Sequence, residues 1–310
     1  MKRLIIIFSL LTFSIVLMAE QKKPLPETKI VKINKRVYAL LGPEELPNRS
    51  NRGYMVNSTV IIGDKGVVLI DTGFSDEIGR HLKKAIASIT KKPVTHVINT
   101  HNHGDHILGN SAFESAIIMS SDKCRQSMEK AGYEWIALLE SITGQRFPNT
   151  RPVVAEKSYA EDTRTMVTLQ NVRMQIWVPS GSHTDNDLMV YLPDDKVLVA
   201  GDIVVNTIMP SYRDAKVRNW LATLQEISEM PLVTIVPGHG KLTTPAKVKK
   251  LRQMMSTLYA GVEVGYKKGM MDSEIRKTLD LQQWKKLKNF DDLMGTNINR
   301  TYLEVEDANF

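Results

Sequence analysis

The stretch Thr100-His101-Asn102-His103-Gly104-Asp105-His106 places three imidazoles and one carboxylate within a few residues of one another. It directly follows the apolar run 94–99, which the sequence favours as a short buried strand. Imidazole and carboxylate together suit a borderline cation such as zinc. Because three of the seven histidines of the chain lie in this one stretch, we predict a metal site here.

Three further candidate ligands lie downstream, each in a short segment that contains glycine. His183 ends Pro179-Ser180-Gly181-Ser182-His183, Asp202 follows Ala200-Gly201, and His239 lies in Pro237-Gly238-His239-Gly240. Each of them follows a run of β-type residues, as the first stretch does. In layered α/β folds, the ends of strands are where ligands bind. We therefore predict that all four segments meet at one edge of the fold.

The spacing permits two adjoining metal ions. His101 and His103 point to the same side of a loop and leave Asp105 and His106 free for a second cation. His183 and His239 each complete one of these sets, and the short carboxylate of Asp202 can bridge them. Two cations roughly 3.5–4 Å apart would lower the pKa of a bridging water and leave hydroxide available near neutral pH. Asp105 is also the candidate catalytic residue, because it can orient that hydroxide or carry its proton.

Asp71, in Asp71-Thr72-Gly73 at the end of a predicted strand, is a candidate for orienting a ligand histidine. The alternative interpretation is an Asx turn ahead of Gly73. His81 and His96 stand alone in their segments, and we interpret both as ordinary surface or core histidines.

Composition indicates a globular protein. Of the 310 residues, 42% are hydrophobic and 24% are charged, which argues against disorder. The formal charge of +7 comes from lysines and arginines that are spread along the chain. Without a basic stripe that carries interleaved aromatics, no nucleic-acid partner is expected. The single cysteine, Cys124, excludes an intrachain disulfide, and the oligomeric state has no signature in the sequence.

Residues 1–19 have the composition of a secretory signal peptide. Lys2-Arg3 precede the apolar stretch 4–18, and Ala19 offers a small residue for cleavage before Glu20. The apolar stretch is shorter than the ~20 residues that a spanning helix needs. Leu17 would lie at position −3 of the cleavage site, where a small residue is preferred. An uncleaved N-terminal anchor is therefore the alternative. We expect a periplasmic or secreted protein without a stable membrane partner after signal removal.

Strand and helix patterns alternate from residue 30 to residue 240. Runs rich in Val and Ile recur at 30–41, 57–62 and 66–71, and Ser75 is the predicted cap of a helix that ends near residue 89. From residue 244 onward the spacing is helical. We predict a linker at 20–29, one α/β domain at 30–243 and a helical C-terminal extension at 244–310. The segment 42–54 is a candidate flap over the site.

The order of these motifs resembles the metallo-β-lactamase-fold hydrolase superfamily. The similarity covers about residues 57–240, and Asp71-Thr72-Gly73 is similar to the first motif of that family. The resemblance implies a four-layer αββα sandwich with a dinuclear, usually zinc, site in the cleft between the sheet edges. It further implies two ligand sets with Asp202 between them, which are His101, His103 and His183 on one metal and Asp105, His106 and His239 on the other.

The resemblance implies a dinuclear zinc hydrolase that attacks an ester, thioester, lactone or amide of a small molecule, and the predicted signal peptide implies that this enzyme is exported. Asp202 occupies the position where many zinc β-lactamases carry a cysteine, and His103 replaces the glutamate typical of the diiron branch. Two alternatives remain open. One is a β-lactam hydrolase, and the other is an iron enzyme for redox chemistry of sulfur compounds, because His and Asp also suit iron or manganese. A catalytically inactive metal-handling protein is disfavoured by the complete ligand set.

Overall fold

A computed structural model describes residues 23–309. The predicted signal peptide at 1–19 and the first residues of the predicted linker lie outside the described residues. Within 23–309, no helix combines the length and the apolar character that crossing a membrane requires.

The first sheet has seven strands, which lie side by side in chain order. The first four are antiparallel to their neighbours, and from the fourth onward the pairing is parallel. The strands are β1 Lys29–Lys32, β2 Val37–Leu41, β3 Ser58–Ile62, β4 Val67–Ile70, β5 Val94–Ile98, β6 Ile117–Ser121 and β7 Lys157–Tyr159. Parallel pairing at β4, β5 and β6 requires crossover segments, and these carry the first helices and the histidine stretch.

The second sheet has five strands in the order β12-β11-β10-β9-β8. All of its neighbours are antiparallel except β11 and β12, which run parallel. The strands are β8 Thr163–Leu169, β9 Val172–Val178, β10 Met189–Leu192, β11 Val197–Val205 and β12 Thr234–His239. The helix between β11 and β12 provides the crossover that this parallel pair needs.

Seven α-helices flank the sheets within the described residues. They are α1 Asp76–Ile89, α2 Gly104–Ile107, α3 Asp122–Thr143, α4 Val217–Glu229, α5 Pro245–Lys267, α6 Asp272–Thr278 and α7 Phe290–Asp307. Short 3-10 turns occur at Leu108–Ala112 and Trp284–Lys286. As predicted, Ser75 caps α1, and its side chain accepts a hydrogen bond from the backbone N–H of Ile78.

Alternation along the strands builds the layers. In β4, Val67 and Leu69 pack beneath α1 and α3, whereas Val68 and Ile70 face the second sheet. In β11, Val199 faces the first sheet and Leu198 packs beneath α4. Because both sheets bury both of their faces, four layers form, and the predicted αββα sandwich is confirmed.

The C-terminal helices join the outer layer of the second sheet. Met255 of α5 and Ile298 of α7 belong to the same apolar cluster as Trp220 of α4 and Ile235 of β12. The segment that we predicted as an extension is therefore packed onto the sandwich along its length.

Two predictions about local structure were wrong. Asp202 does not follow a strand but lies inside β11, and His239 is the last residue of β12. The reason is that the parallel pairing continues beyond residue 200 through irregular steps, so that Val205 still pairs with His239. The β-type run 30–41 contains two strands, β1 and β2, which pair as an antiparallel hairpin. The short strand β7 was not predicted.

Candidate metal centre

The structure brings all seven predicted ligands together at one end of the two sheets. His101 and His103 lie in the turn after β5, and Asp105 and His106 lie in the first residues of α2. The other three come from the second sheet, with His183 in the loop after β9, Asp202 in β11 and His239 at the end of β12. The backbone N–H of Leu188 donates to the carbonyl of Thr100 (2.6 Å), which joins the two halves of the site.

One group of side chains consists of His101, His103, His183 and Asp202. Each offers one ligand atom, and these atoms all lie within 4.8 Å of one another. His183 Nε2 is 3.2 Å from His103 Nδ1 and 3.5 Å from Asp202 Oδ2. Three imidazole nitrogens and one carboxylate oxygen thus point at one small volume.

A second group consists of Asp105, His106 and His239, whose ligand atoms also lie within 4.8 Å of one another. His239 Nε2 lies 3.2 Å from Asp105 Oδ2 and 3.3 Å from Asp202 Oδ2. His106 Nε2 lies 3.4 Å from Asp202 Oδ1. Asp202 therefore faces both groups, which is the position that a bridging ligand requires.

Several of these atoms are buried without a hydrogen-bond partner among residues 23–309. They are Nε2 of His101, Nε2 of His106 and Oδ1 of Asp202. A buried polar atom without a partner costs about 1–3 kcal/mol, so three in one place indicate that something else satisfies them. All three point into the groups described above, and a donor set of imidazole and carboxylate suits zinc. The residues present therefore fit one or two metal ions.

The second ring nitrogen of each of three histidines is held by an oxygen that fixes the ring. His106 Nδ1 donates to Asp71 Oδ2 (2.8 Å), His183 Nδ1 donates to the carbonyl of Ser211 (3.1 Å), and His239 Nδ1 donates to the carbonyl of Met55 (3.1 Å). Because Nδ1 of each ring donates to an oxygen, Nε2 is the atom that can bind a metal once a cation displaces its proton, as ligand histidines require. Asp71 thus lies where a carboxylate that orients a ligand would lie.

Sequence reasoning missed the partner of His103. Its Nε2 donates to Asp214 Oδ2 (2.9 Å), and Arg213 Nε donates to the same oxygen (3.0 Å). The Arg213 guanidinium lies 4.7 Å from the centre of the Trp135 ring, and that ring packs edge-on against His103. Arg213 and Asp214 are exposed residues of an irregular loop, and no motif distinguishes them in the sequence.

A second residue that sequence reasoning missed is Asn57, which is buried just before β3. Its Nδ2 donates to the carbonyls of Pro237 and Gly240 (both 2.9 Å), and its backbone N–H donates to the carbonyl of Gly238 (2.8 Å). The first sheet thereby positions the turn that carries His239.

Burial and neighbouring charges act in opposite directions on the pKa values of the candidate ligands. Burial lowers the pKa of His101, and it lowers that of His183 to about 3. Burial would also lower the pKa of His106, but the carboxylates of Asp105, Asp71 and Asp202 outweigh it and raise the pKa to about 9. Asp105 is acidic in turn, because His106 and His239 overcome its burial and lower its pKa to about 2. Positive charge on the histidines thus stabilises the carboxylates of Asp105 and Asp202. A bound cation would supply that charge in place of the protons on the histidines.

Two cavities adjoin the centre. One, of about 320 Å³, lies directly over it, and its walls include His103, Asp105, His183, Asp202 and His239. The other, of about 730 Å³, opens beside His103 and is lined by polar residues that include Lys216 and Arg300. His103, Trp135 and Arg213 border both cavities, so a small molecule at the centre can extend into either.

Residues 51–239 match the family model described as "Metallo-beta-lactamase superfamily", which covers more than half of the chain. The chain belongs to this superfamily. The predicted family is therefore confirmed, and so is the predicted enzyme class of a hydrolase of this superfamily.

Similar proteins include a "Metallo-beta-lactamase type 2" of Bacillus cereus, which is 26% identical over 69% of this chain and 77% of its own length. A "Linear primary-alkylsulfatase" of Pseudomonas sp. (strain ATCC 19151) is 24% identical over 63% of this chain and 43% of its own length. Among solved structures, a metallo-beta-lactamase from Pontibacter korlensis superposes with a TM-score of 0.58 at 20% identity. That alignment covers 74% of this chain and 99% of the solved chain, and it supports the fold.

Proposed function

We propose that this protein is a dinuclear zinc hydrolase that cleaves an ester, thioester, lactone or amide bond in a small molecule. The observation that carries the proposal is the position of Asp202, which faces two adjoining groups of ligand-type side chains. When bound, two zinc ions would supply Lewis acidity and lower the pKa of a water molecule at the centre. The first group would hold one ion through His101, His103 and His183, and the second would hold the other through Asp105, His106 and His239.

The side chains of the chain itself have distinct roles in this proposal. Asp71 and Asp214 fix the ring orientations of His106 and His103. Asp105 lines the cavity over the centre and is held as a carboxylate by the two histidines beside it. It is therefore placed to orient the attacking water or to carry its proton to the leaving group. No nucleophilic serine or cysteine is required.

A β-lactam is the second candidate substrate. The "Metallo-beta-lactamase type 2" of Bacillus cereus and the solved metallo-beta-lactamase named above favour it. The carboxylate at Asp202 argues against it, since many zinc β-lactamases carry a thiolate there. The alkylsulfatase relative adds sulfate esters to the compounds that deserve a direct assay. From the composition of residues 1–19, we further propose that the enzyme acts outside the cytoplasm.

The test combines metal analysis with a substrate panel. We expect about two zinc ions per purified chain and turnover of at least one thioester, lactone or carboxylic ester that a chelator abolishes. Fast, chelator-sensitive turnover of a chromogenic cephalosporin would instead assign the β-lactam reaction. A coloured, iron-loaded protein that consumes oxygen with a sulfur compound would replace the proposal with the redox alternative.

A further inference from the structure

The cavity over the metal centre has largely apolar walls. Leu46 and Pro47 line it from the segment after β2, Leu138 and Ile142 line it from α3, and Leu293 lines it from α7. Apolar surface this close to charged ligands suits a substrate with an apolar group, because burial of that group releases ordered water from the walls.

Two of the apolar side chains that line this cavity are exposed to solvent. Leu138 and Ile142 are 39% and 41% exposed, although both lie on a helix whose other face is buried in the core. A contiguous exposed apolar surface inside a cleft marks a binding site more often than a packing defect. An apolar ligand over the centre would cover both side chains.

The wall at Leu293 comes from outside the region that matches the family. The family model ends at residue 239, whereas Leu293 lies in α7 of the C-terminal segment. Two backbone hydrogen bonds of 3.0 Å hold the residues just before α7 in place. One runs from Lys288 N–H to the carbonyl of Thr207, and the other runs from Met209 N–H to the carbonyl of Lys288. Lys288 Nζ also pairs with Glu44 Oε2 (3.3 Å), which ties the segment to the loop that carries Leu46.

The adjoining larger cavity has a different character. Asn102, Asp185, Lys216 and Arg300 line it, and Arg300 is held there by a hydrogen bond from its Nε to the carbonyl of Ala215 (2.9 Å). Polar and charged walls favour a polar part of the substrate there. A molecule that spans both cavities would place its apolar part over the centre and its polar part beside His103.

We propose that the C-terminal helices complete an acyl-binding chamber, and that the substrate carries an apolar acyl group joined to a polar leaving group. The proposal rests on the proposed hydrolase function, which supplies the scissile carbonyl. Leu293 is the specificity residue that the C-terminal segment adds to the candidate metal centre, and Leu138 and Ile142 form the opposite wall.

The test compares two thioesters that share the thiol 3-mercaptopropionate and differ in their acyl group, which is either acetyl or hexanoyl. With zinc-loaded protein, we expect kcat/KM to be about 10-fold to 100-fold higher for hexanoyl, because the chamber removes part of its four additional methylenes from water. Leu293→Asn should lower this ratio at least about fivefold. Leu303→Asn, on the same helix but 40% exposed and away from the cavity, should leave the ratio unchanged.

A binding measurement separates this proposal from the proposed function. Calorimetry with hexanoate and acetate should show tighter binding of hexanoate, and Leu293→Asn should remove the difference. Such selective binding without turnover of either thioester would support the chamber and contradict the hydrolase proposal for acyl substrates. Turnover with equal kcat/KM for both acyl groups, unchanged by Leu293→Asn, would overturn the chamber and leave the hydrolase proposal intact.

Discussion

Asp71 Oδ2 accepts a hydrogen bond of 2.8 Å from His106 Nδ1, and the pair is almost completely buried. The same carboxylate accepts two further bonds of 2.8 Å from the backbone N–H and the hydroxyl of Thr100. Asp71 adopts a left-handed backbone conformation with φ of 59°, which is uncommon for residues other than glycine and costs free energy. This cost occurs at a residue whose carboxylate orients the candidate metal ligand His106.

Asp71→Asn should therefore weaken metal binding while it preserves the fold. Asparagine tolerates the left-handed conformation, but its amide cannot accept all three of these hydrogen bonds. We expect zinc affinity to fall about 10-fold to 100-fold, as for other residues that orient ligand histidines. Competition with a chromogenic chelator measures this affinity. Asp64→Asn, in an exposed turn, is the matched control, and equal affinities of the two variants would contradict the role of Asp71.

Asp214→Asn should affect the first ligand group selectively. The hydrogen bond to His103 and the neighbouring Arg213 hold the pKa of the Asp214 carboxyl well below its ordinary value. The variant loses this charge and the firm acceptor for His103 Nε2. We expect the affinity of the first ligand group for its zinc ion to drop about 10-fold, and the affinity of the second group to stay unchanged. Asp185→Asn in the same cavity should leave both binding steps unchanged, and a matching loss there would indicate a general electrostatic effect.

Asp202→Ala should change the stoichiometry of metal binding. Asp202 is the side chain that approaches both groups, at 3.4 Å from His106 Nε2 and 3.5 Å from His183 Nε2. Its removal leaves three ligands for each ion and no shared carboxylate between them. We expect the zinc content to fall from about two ions to about one, with turnover reduced about 100-fold or more. Two retained zinc ions with unchanged turnover would argue against a bridging role.

The meeting of the seven candidate ligands could be predicted from the sequence because each is an imidazole or carboxylate in a short segment with recognisable spacing. Their position relative to the strands could not be predicted in full. Asp202 lies within β11, since the pairing of β11 with β12 extends through irregular steps that leave no mark in a hydrophobic pattern. Alternation of apolar residues does predict which layer a strand residue faces, as Val68 and Leu69 illustrate.

The residues that hold the candidate ligands in place were harder to predict than the candidate ligands themselves. Asp71 could be named because it follows a strand in a short motif. Asp214 and Asn57 act through contacts across more than 100 residues of chain, and such contacts depend on how the two sheets pack. The wall at Leu293 was missed for the same reason, because helical spacing shows which face of α7 is apolar but not which cavity that face borders.

Asp187 should make stability depend on pH. Burial raises the pKa of this carboxyl to about 7, although hydrogen bonds from Thr184 oppose the shift. The unfolded chain has the ordinary value of 3.8, so the folded state binds more protons between these two values. The contribution of Asp187 to the free energy of unfolding is therefore present below about pH 4 and is lost as pH rises towards about 7.

Asp187→Asn removes this dependence, because an amide does not ionise and can still accept from Thr184 N–H and donate to its hydroxyl. At saturating zinc, we expect the Tm of the variant to rise relative to that of the natural chain between about pH 5 and about pH 8. Thermal unfolding of both proteins across this range is the measurement. A difference in Tm that stays constant with pH would show that the pKa of Asp187 is not raised in the folded protein.

Gly238→Ala should disable the centre through a residue that carries no ligand atom. A Cβ at this position would lie 1.9 Å from Asp202 Oδ1 and 3.0 Å from the backbone nitrogen of Asp202, so the carboxylate must move. Displacement of a reacting group by about 1 Å can lower turnover about 100-fold, and we expect a loss of this size together with weaker binding of the second zinc ion. Gly295→Ala in α7 is the control, because its new Cβ meets only the end of the Arg276 side chain at 3.4 Å. That control should retain activity and gain up to about 1 kcal/mol of stability from helix propensity. Full activity of Gly238→Ala would mean that the Asp202 carboxylate can move and still bridge the two ligand groups.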